Sequence, residues 1–281
     1  MGGAYPLRQC AVMDKEEQKH MDRVEEARRT LLALYGGSHS PLEESDPDFA
    51  AIKQRLVYGE LYAQEALDPV MRELILLAVA TTNQTMSEVK LHTCAALRSG
   101  ASPEAVKEAV YHCAPYIGLG KAEAAAAAVN EVLRTQGISL PLASQRTVSE
   151  EDRLTAGIAA QKAIFGDGID AMRASAPDDQ KHIQDYLSAY CFGDFYTRSG
   201  LDIRQRELLT FSILSAQGGC ENQIKAHAGG NAAVGNDKPL LLAALMLCMP
   251  YIGLPRTLNA LSCVDQVLPE PPEGDRPSPQ K

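Results

Sequence analysis

ALDPVMRELILLAV at residues 66–79 returns as GLDIRQRELLTFSI at 200–213, a displacement of 134 residues. In both, apolar residues recur at helical spacing, and Asp68–Pro69 is a helix start signal. The match extends outward. EVKLH at 88–92 returns as QIKAH at 223–227, and PYIGL at 115–119 returns unchanged at 250–254, each displaced by 135. One residue is therefore inserted between the blocks, in SAQGGCEN relative to TTNQTMS. A period this long marks duplicated domains rather than a solenoid.

The chain divides accordingly. A flexible tail at 1–20 precedes a first copy at 21–137, a linker at 138–149, a second copy at 150–268 and a Pro-rich tail at 269–281. Helix signals fill both copies. Ser87 and Ser102 are expected N-caps, Pro103 takes a first helical position, and Gly100 and Gly137 stop helices. Pro239 opens a helix in the second copy, and another ends near Leu268. Pro115 and Pro250 are expected to interrupt their helices, since an interior proline costs roughly 3 kcal/mol if uncompensated. No sustained two-residue alternation appears, so the fold class is all-α, two tandem copies of one helical domain. Residues 36–48, 137–152 and the tail from Pro269 read as structureless.

Composition narrows the function. The chain has 281 residues, 45% hydrophobic, and a formal charge of −9. That acidity argues against nucleic acid and anionic membranes as partners. Seven cysteines without a CxxC pair predict neither a disulfide framework nor structural zinc. No apolar run is long enough to cross a bilayer, and the expected setting is the reducing cytoplasm.

The residues able to do chemistry follow the repeat. Glu88 and His92 are four apart and share a helix face, and Glu73 approaches His92 if their helices pack antiparallel. A carboxylate beside an imidazole raises its pKa and fixes its tautomer, which makes a general acid or base. In the second copy His227 and Glu207 recur, Gln223 replaces Glu88, and Cys220 stands where the first copy has Thr85. A histidine kept in both copies amid many changes is hard to explain as a solvated face. Tyr116 and Tyr251 of the twin PYIGL blocks are candidates to border a pocket. Arg72, Lys90, Arg206 and Lys225 are candidate cations, read first as solvated surface charges. His112 is matched by Leu247. Cys113 and Cys248 read as core, and His20, His39 and His182 as solvent-facing. The six histidines form no metal-ligand spacing.

FGDFYTRSGLDIRQRELLTFSIL at 192–214, EVKLHTCAALRSGASPEAVKEAVYHCAPYIGL at 88–119 and MPYIGLPRTLNALSCVDQVL at 249–268 resemble the carboxymuconolactone decarboxylase and alkylhydroperoxidase D superfamily. The resemblance runs from about residue 30 to 268. It implies an all-helical fold that assembles as trimers or hexamers of domains, so that a two-copy chain is expected to form a homotrimer. In the peroxidase branch a glutamate, two cysteines and a histidine act together. Thr85 and Cys220 fall at the first cysteine, Glu88 and Gln223 at the second, so neither copy holds both thiols. In the decarboxylase branch a glutamate precedes the histidine by four, which the first copy keeps and the second lacks.

The resemblance therefore implies a lyase needing neither metal nor organic cofactor and acting on a small, anionic, carboxylated lactone or related enolisable compound. His92 would give the proton, tuned by Glu88 or Glu73. An isomerisation or cyclisation would use the same residues. The alternatives are a thiol-dependent oxidoreductase using Cys220, with its thiol activated by His227, and a non-catalytic member serving assembly.

Overall fold

A computed structural model describes residues 22–37, 40–62 and 66–269. The expected tails at 1–20 and from 270, together with His20 and His39, lie outside the described residues. Every regular element among the described residues is helical. The chain forms two compact units, Met1–Ala63 and Gln64–Lys281. The first repeat thus contributes its opening helices to one unit and its remaining helices to the other, beside the whole second repeat.

The first unit contains α1 (Arg23–Tyr35) and α2 (Pro47–Gln54), which runs on into a π-helical segment, Arg55–Leu61. Asp22 caps α1 by accepting from the Val24 amide at 3.1 Å. The π-helical segment crosses α1 at Gly59, where a Cβ would lie 2.1 Å from the Arg23 carbonyl oxygen. Arg23 and Glu60 form an ion pair at 2.6 Å beside the crossing.

The second unit repeats this construction. There α7 (Arg153–Phe165) meets a π-helical segment, Leu187–Tyr196. Gly193 occupies the place of Gly59, and its Cβ would lie 2.2 Å from the Arg153 carbonyl oxygen. Arg153 pairs with Asp194. Between them lie α8 (Gly168–Ala174) and α9 (Lys181–Tyr186).

The centre of the second unit is α3 (Pro69–Asn83) against α10 (Ile203–Gln217), the two elements that carry the long repeated block. Residues 73–82 of α3 and 206–216 of α10 are all buried. Asp68 and Asp202 cap them, accepting from the amides of Met71 at 2.9 Å and Gln205 at 2.8 Å. Around them pack α4 (Met86–Arg98), α5 (Pro103–Ile117) and α6 (Leu119–Thr135), and their repeats α11 (Glu221–Ala233), α12 (Lys238–Ile252) and α13 (Leu254–Val267). The packing crosses between copies: α5 lies on α10 as well as on α3, and α12 lies on α3 as well as on α10.

Three expectations change. The N-cap of α4 is Thr85, not Ser87. The prolines do not break their helices: α5 continues past Pro115 to Ile117, and α12 past Pro250 to Ile252. The breaks fall at Gly118 and Gly253, at φ 91° and 79°, where a side chain would be strained. The linker is irregular yet fastened, because the Ser199 amide donates to the Gln145 carbonyl at 2.9 Å and Thr147 Oγ1 to the Thr197 carbonyl at 2.7 Å. Among the described residues no helix is long and apolar enough to cross a membrane.

The glycine crossing yields a stability prediction. Gly193→Ala should lower stability by about 1–3 kcal/mol, because backbone rather than a flexible side chain must give way. Gly120→Ala, with nothing within 4 Å of the new Cβ, should leave stability unchanged or raise it. Denaturant midpoints of the two variants check this.

Candidate active site

The turn between α3 and α4 is two residues, Gln84 and Thr85, with Gln84 in the left-handed region at φ 59°. So short a connection folds α4 back along α3. Glu73 and His92 then meet inside the core, both with no solvent exposure, with Nδ1 2.8 Å from Glu73 Oε2. One helical turn before His92, Glu88 places Oε2 3.5 Å from Nε2 and keeps its side chain 20% exposed. The imidazole therefore lies between two carboxylates. Burial by itself would depress its pKa, but Glu73 and then Glu88 outweigh it and raise the pKa to about 9. At neutral pH His92 is an imidazolium.

The second copy repeats the pair and changes its surroundings. His227 Nδ1 lies 2.9 Å from Glu207 Oε2. Tyr196 donates to the other carboxylate oxygen at 2.6 Å. Phe165 presents its ring at 5.4 Å and 79° to the imidazole. Gly230 makes room, since a Cβ there would be 2.6 Å from Glu207 Oε2. Gln223 stands exposed on α11.

The twin PYIGL blocks explain themselves here. Tyr251 of the second copy turns its ring onto His92 of the first, at 5.7 Å and 76°. Its carbonyl is held by Asn83 Nδ2 at 3.0 Å. Tyr116 of the first copy meets His227 of the second, at 6.2 Å and 84°. Each copy lends its tyrosine to the other copy's histidine.

The structure thus brings Glu73, Glu88, His92 and Tyr251 into one cluster, and Glu207, His227 and Tyr116 into another. Cys220 joins neither. It is the N-cap of α11, seven residues before His227, roughly 10 Å along the axis. Its thiol faces the Gly218 carbonyl at 3.4 Å and Gln217 Nε2 at 3.6 Å.

Among the candidate cations, Lys90 is exposed and pairs with Glu131, and Arg72 and Lys225 are half-buried. Arg206 is not a surface charge: it has no exposure and is bonded to Glu108 Oε2 at 3.1 Å. Burial pushes the thiols of Cys113 and Cys248 up, the latter to about 12, as befits core residues. No group of three or more potential metal ligands occurs among the described residues.

Phe165, Tyr196 and His112 went unread in the sequence as members of this region. A signal existed for the first two. Tyr35 and Tyr62 stand at the matching places in the first copy, displaced by 130 and 134 residues.

The imidazolium gives a pH prediction with a definite sign. Its folded pKa lies above the ordinary value near 6.5, so its stabilisation is complete below that value and is lost as pH rises through about 9. NMR titration should place the His92 transition near 9 in the native chain. Glu88→Gln, which puts here the residue that the second copy has at 223, should move that transition to lower pH.

Comparison with known proteins agrees with this duplicated architecture. The family model described as "Carboxymuconolactone decarboxylase family" matches residues 47–131 and again 181–266. A 4-carboxymuconolactone decarboxylase from Acinetobacter baylyi is 29% identical over 98 residues, which is 35% of this chain and 73% of that protein. A crystal structure from Burkholderia xenovorans LB400, named provisionally as a gamma-carboxymuconolactone decarboxylase subunit, shares the fold. It has a TM-score of 0.52 and 21% identity, over 86% of this chain and 96% of that one. With both repeats matched, the chain belongs to the carboxymuconolactone decarboxylase family.

Proposed function

We propose that this chain is a cofactor-free carboxy-lyase acting by general acid–base catalysis on a small carboxylated lactone or related enolisable acid. The observation that carries the reading is the buried His92 ring, with Nδ1 2.8 Å from Glu73 and Nε2 3.5 Å from Glu88, a placement that raises its pKa. The decarboxylase from Acinetobacter baylyi supports the reaction class.

In this reading the bond to the substrate carboxylate breaks, and its electron pair passes into the conjugated lactone carbonyl. Carbon dioxide leaves and a dienolate remains. His92 Nε2 then delivers its proton to carbon, and the imidazole recovers a proton from water. One proton is consumed, one carbon dioxide is released, and no electron acceptor is required. Glu73 holds Nδ1–H and thus the ring. Glu88 stands between Nε2 and solvent, so substrate enters by displacing its side chain. Two carboxylates near the substrate's own favour moving that charge away into the lactone carbonyl as neutral carbon dioxide departs.

Tyr251 borders the substrate in the first site, and Tyr116, Glu207 and Gln223 take that part in the second. Six free thiols among the described residues support a cytoplasmic setting.

Assembly belongs to the same reading. Matched positions of the two copies leave large apolar side chains in water: Leu119 and Leu254 at 57% and 60% exposure, Phe49 and Ile183 at 61% and 53%. Repeated exposure of the same places supports self-association, with a trimer favoured. Light scattering at micromolar concentration should give three times the chain mass, and a stable monomer would count against this.

The activity test uses His92→Asn. Asparagine can keep a donor toward Glu73 but has nothing at Nε2, so it spares the buried carboxylate a lost partner. Its turnover should fall about a hundredfold to ten-thousandfold in a decarboxylation assay. Cys220→Ser should retain nearly full turnover. The reverse order would move the chemistry to the thiol.

A further inference from the structure

The His227 dyad is tied to two side chains, His112 and Thr210, whose counterparts in the repeat are Leu247 and Leu76. His112, on α5, is fully buried against α10. Its Nε2 lies 2.9 Å from Thr210 Oγ1 and 3.1 Å from the Arg206 carbonyl oxygen. Its Nδ1 lies 3.4 Å from Arg206 Nη1. A guanidinium has donors only and does not deprotonate in proteins. Nδ1 must therefore accept, and the proton sits on Nε2. Burial and then the Arg206 charge hold the His112 pKa well below its ordinary value, so the ring is neutral.

Each later hydrogen bond inherits its direction from this one. Thr210 Oγ1 accepts from His112 and gives its own hydrogen to Tyr116 Oη at 3.1 Å, with Tyr196 Oη also beside it at 2.7 Å. Tyr116 Oη in turn gives its hydrogen to Tyr196 Oη at 3.0 Å. Tyr196 has then one hydrogen left to give, and it goes to Glu207 Oε1. His227 donates from Nδ1 to Oε2. The Nε2 hydrogen is shared with the Arg206 carbonyl, and beyond it every hydrogen on this route points toward Glu207. The chain cannot reverse, because Arg206 cannot accept, and so it orients groups rather than relaying protons. Its anchored end is firm, since Arg206 also donates to Glu108 at 3.1 Å and to the Arg198 carbonyl at 2.8 Å.

We propose that His112 is a positioning residue for the His227 centre. Acting from the other copy through Thr210, Tyr116 and Tyr196, it fixes the Glu207 carboxylate, and through that the Nδ1–H and ring orientation of His227. At the matching places the first site has Leu247 for His112 and Leu76 for Thr210, both buried. The two centres are therefore built differently: His92 is charged by a second carboxylate, and His227 is aimed by a file of neutral donors. The proposal stands apart from the lyase reading and is tested without an activity assay.

Proton–nitrogen NMR of the full chain with labelled histidine rings reads the effect directly. The native protein should show a resolved, hydrogen-bonded His227 Nδ1–H signal, assigned by its absence from His227→Gln. His112→Leu should lose that signal, while the His92 Nδ1–H signal persists and reports an intact fold. His112→Gln should restore it, because its amide oxygen can accept from Arg206 and its NH2 can donate to Thr210. Thr210→Val removes the next link without touching the arginine and should reproduce the loss. It decides the question if His112→Leu does not fold. An undiminished His227 signal in Thr210→Val or in folded His112→Leu overturns the proposal, as does equal loss in His112→Leu and His112→Gln.

Discussion

Glu73 and Glu207 sit with no solvent exposure in α3 and α10, the two most buried helices among the described residues. A carboxylate in such a place costs several kcal/mol unless a donor meets it. His92 and His227, each from the following helix, supply that donor at 2.8 and 2.9 Å. The requirement fixes how α4 is rotated on α3 and how α11 is rotated on α10, because any other rotation would strand a buried charge. The short turns that fold each pair back, and the apolar faces on either side, serve the same contact.

The second constraint is exchange between the copies. The central helices pack against each other, which lays α5 on α10 and α12 on α3. The helix breaks at Gly118 and Gly253 come just after the tyrosines that cross over. Tyr251 closes over His92 and Tyr116 over His227. Neither histidine is surrounded by its own repeat alone.

Much of this was legible in the sequence. The repeated block 66–79 and 200–213 marks the central helices, because residues buried on all sides resist change. Caps at Asp68 and Ser102 were readable, since a short polar side chain before a Pro has one physical use there. The Glu73–His92 contact followed from antiparallel packing of adjacent helices. What was not legible depends on packing between copies: no local spacing says that Tyr251 serves His92. Arg206 read as a surface charge because sequence gives its type and not the acidic partner, Glu108, 98 residues away. The prolines misled for a related reason. Each proline removes one amide from the turn before it, which loosens that turn without ending the helix, and the glycine three residues on supplies the stop.

The exchanged tyrosines alter what counts as one copy. A change at 251 is felt at His92, and a change at 112 or 116 is felt in the surroundings of His227. Selection therefore acts on sets of residues that interleave along the chain, not on its two halves. Once such a gene has doubled and its halves have diverged, with Leu247 where the other half has His112 and Gln223 where it has Glu88, neither half can be returned to a single-copy ancestor without losing the side chains borrowed from the other. What binds the halves to each other is less the two crossing tyrosines, which are alike, than His112 and Glu88, which only one half holds.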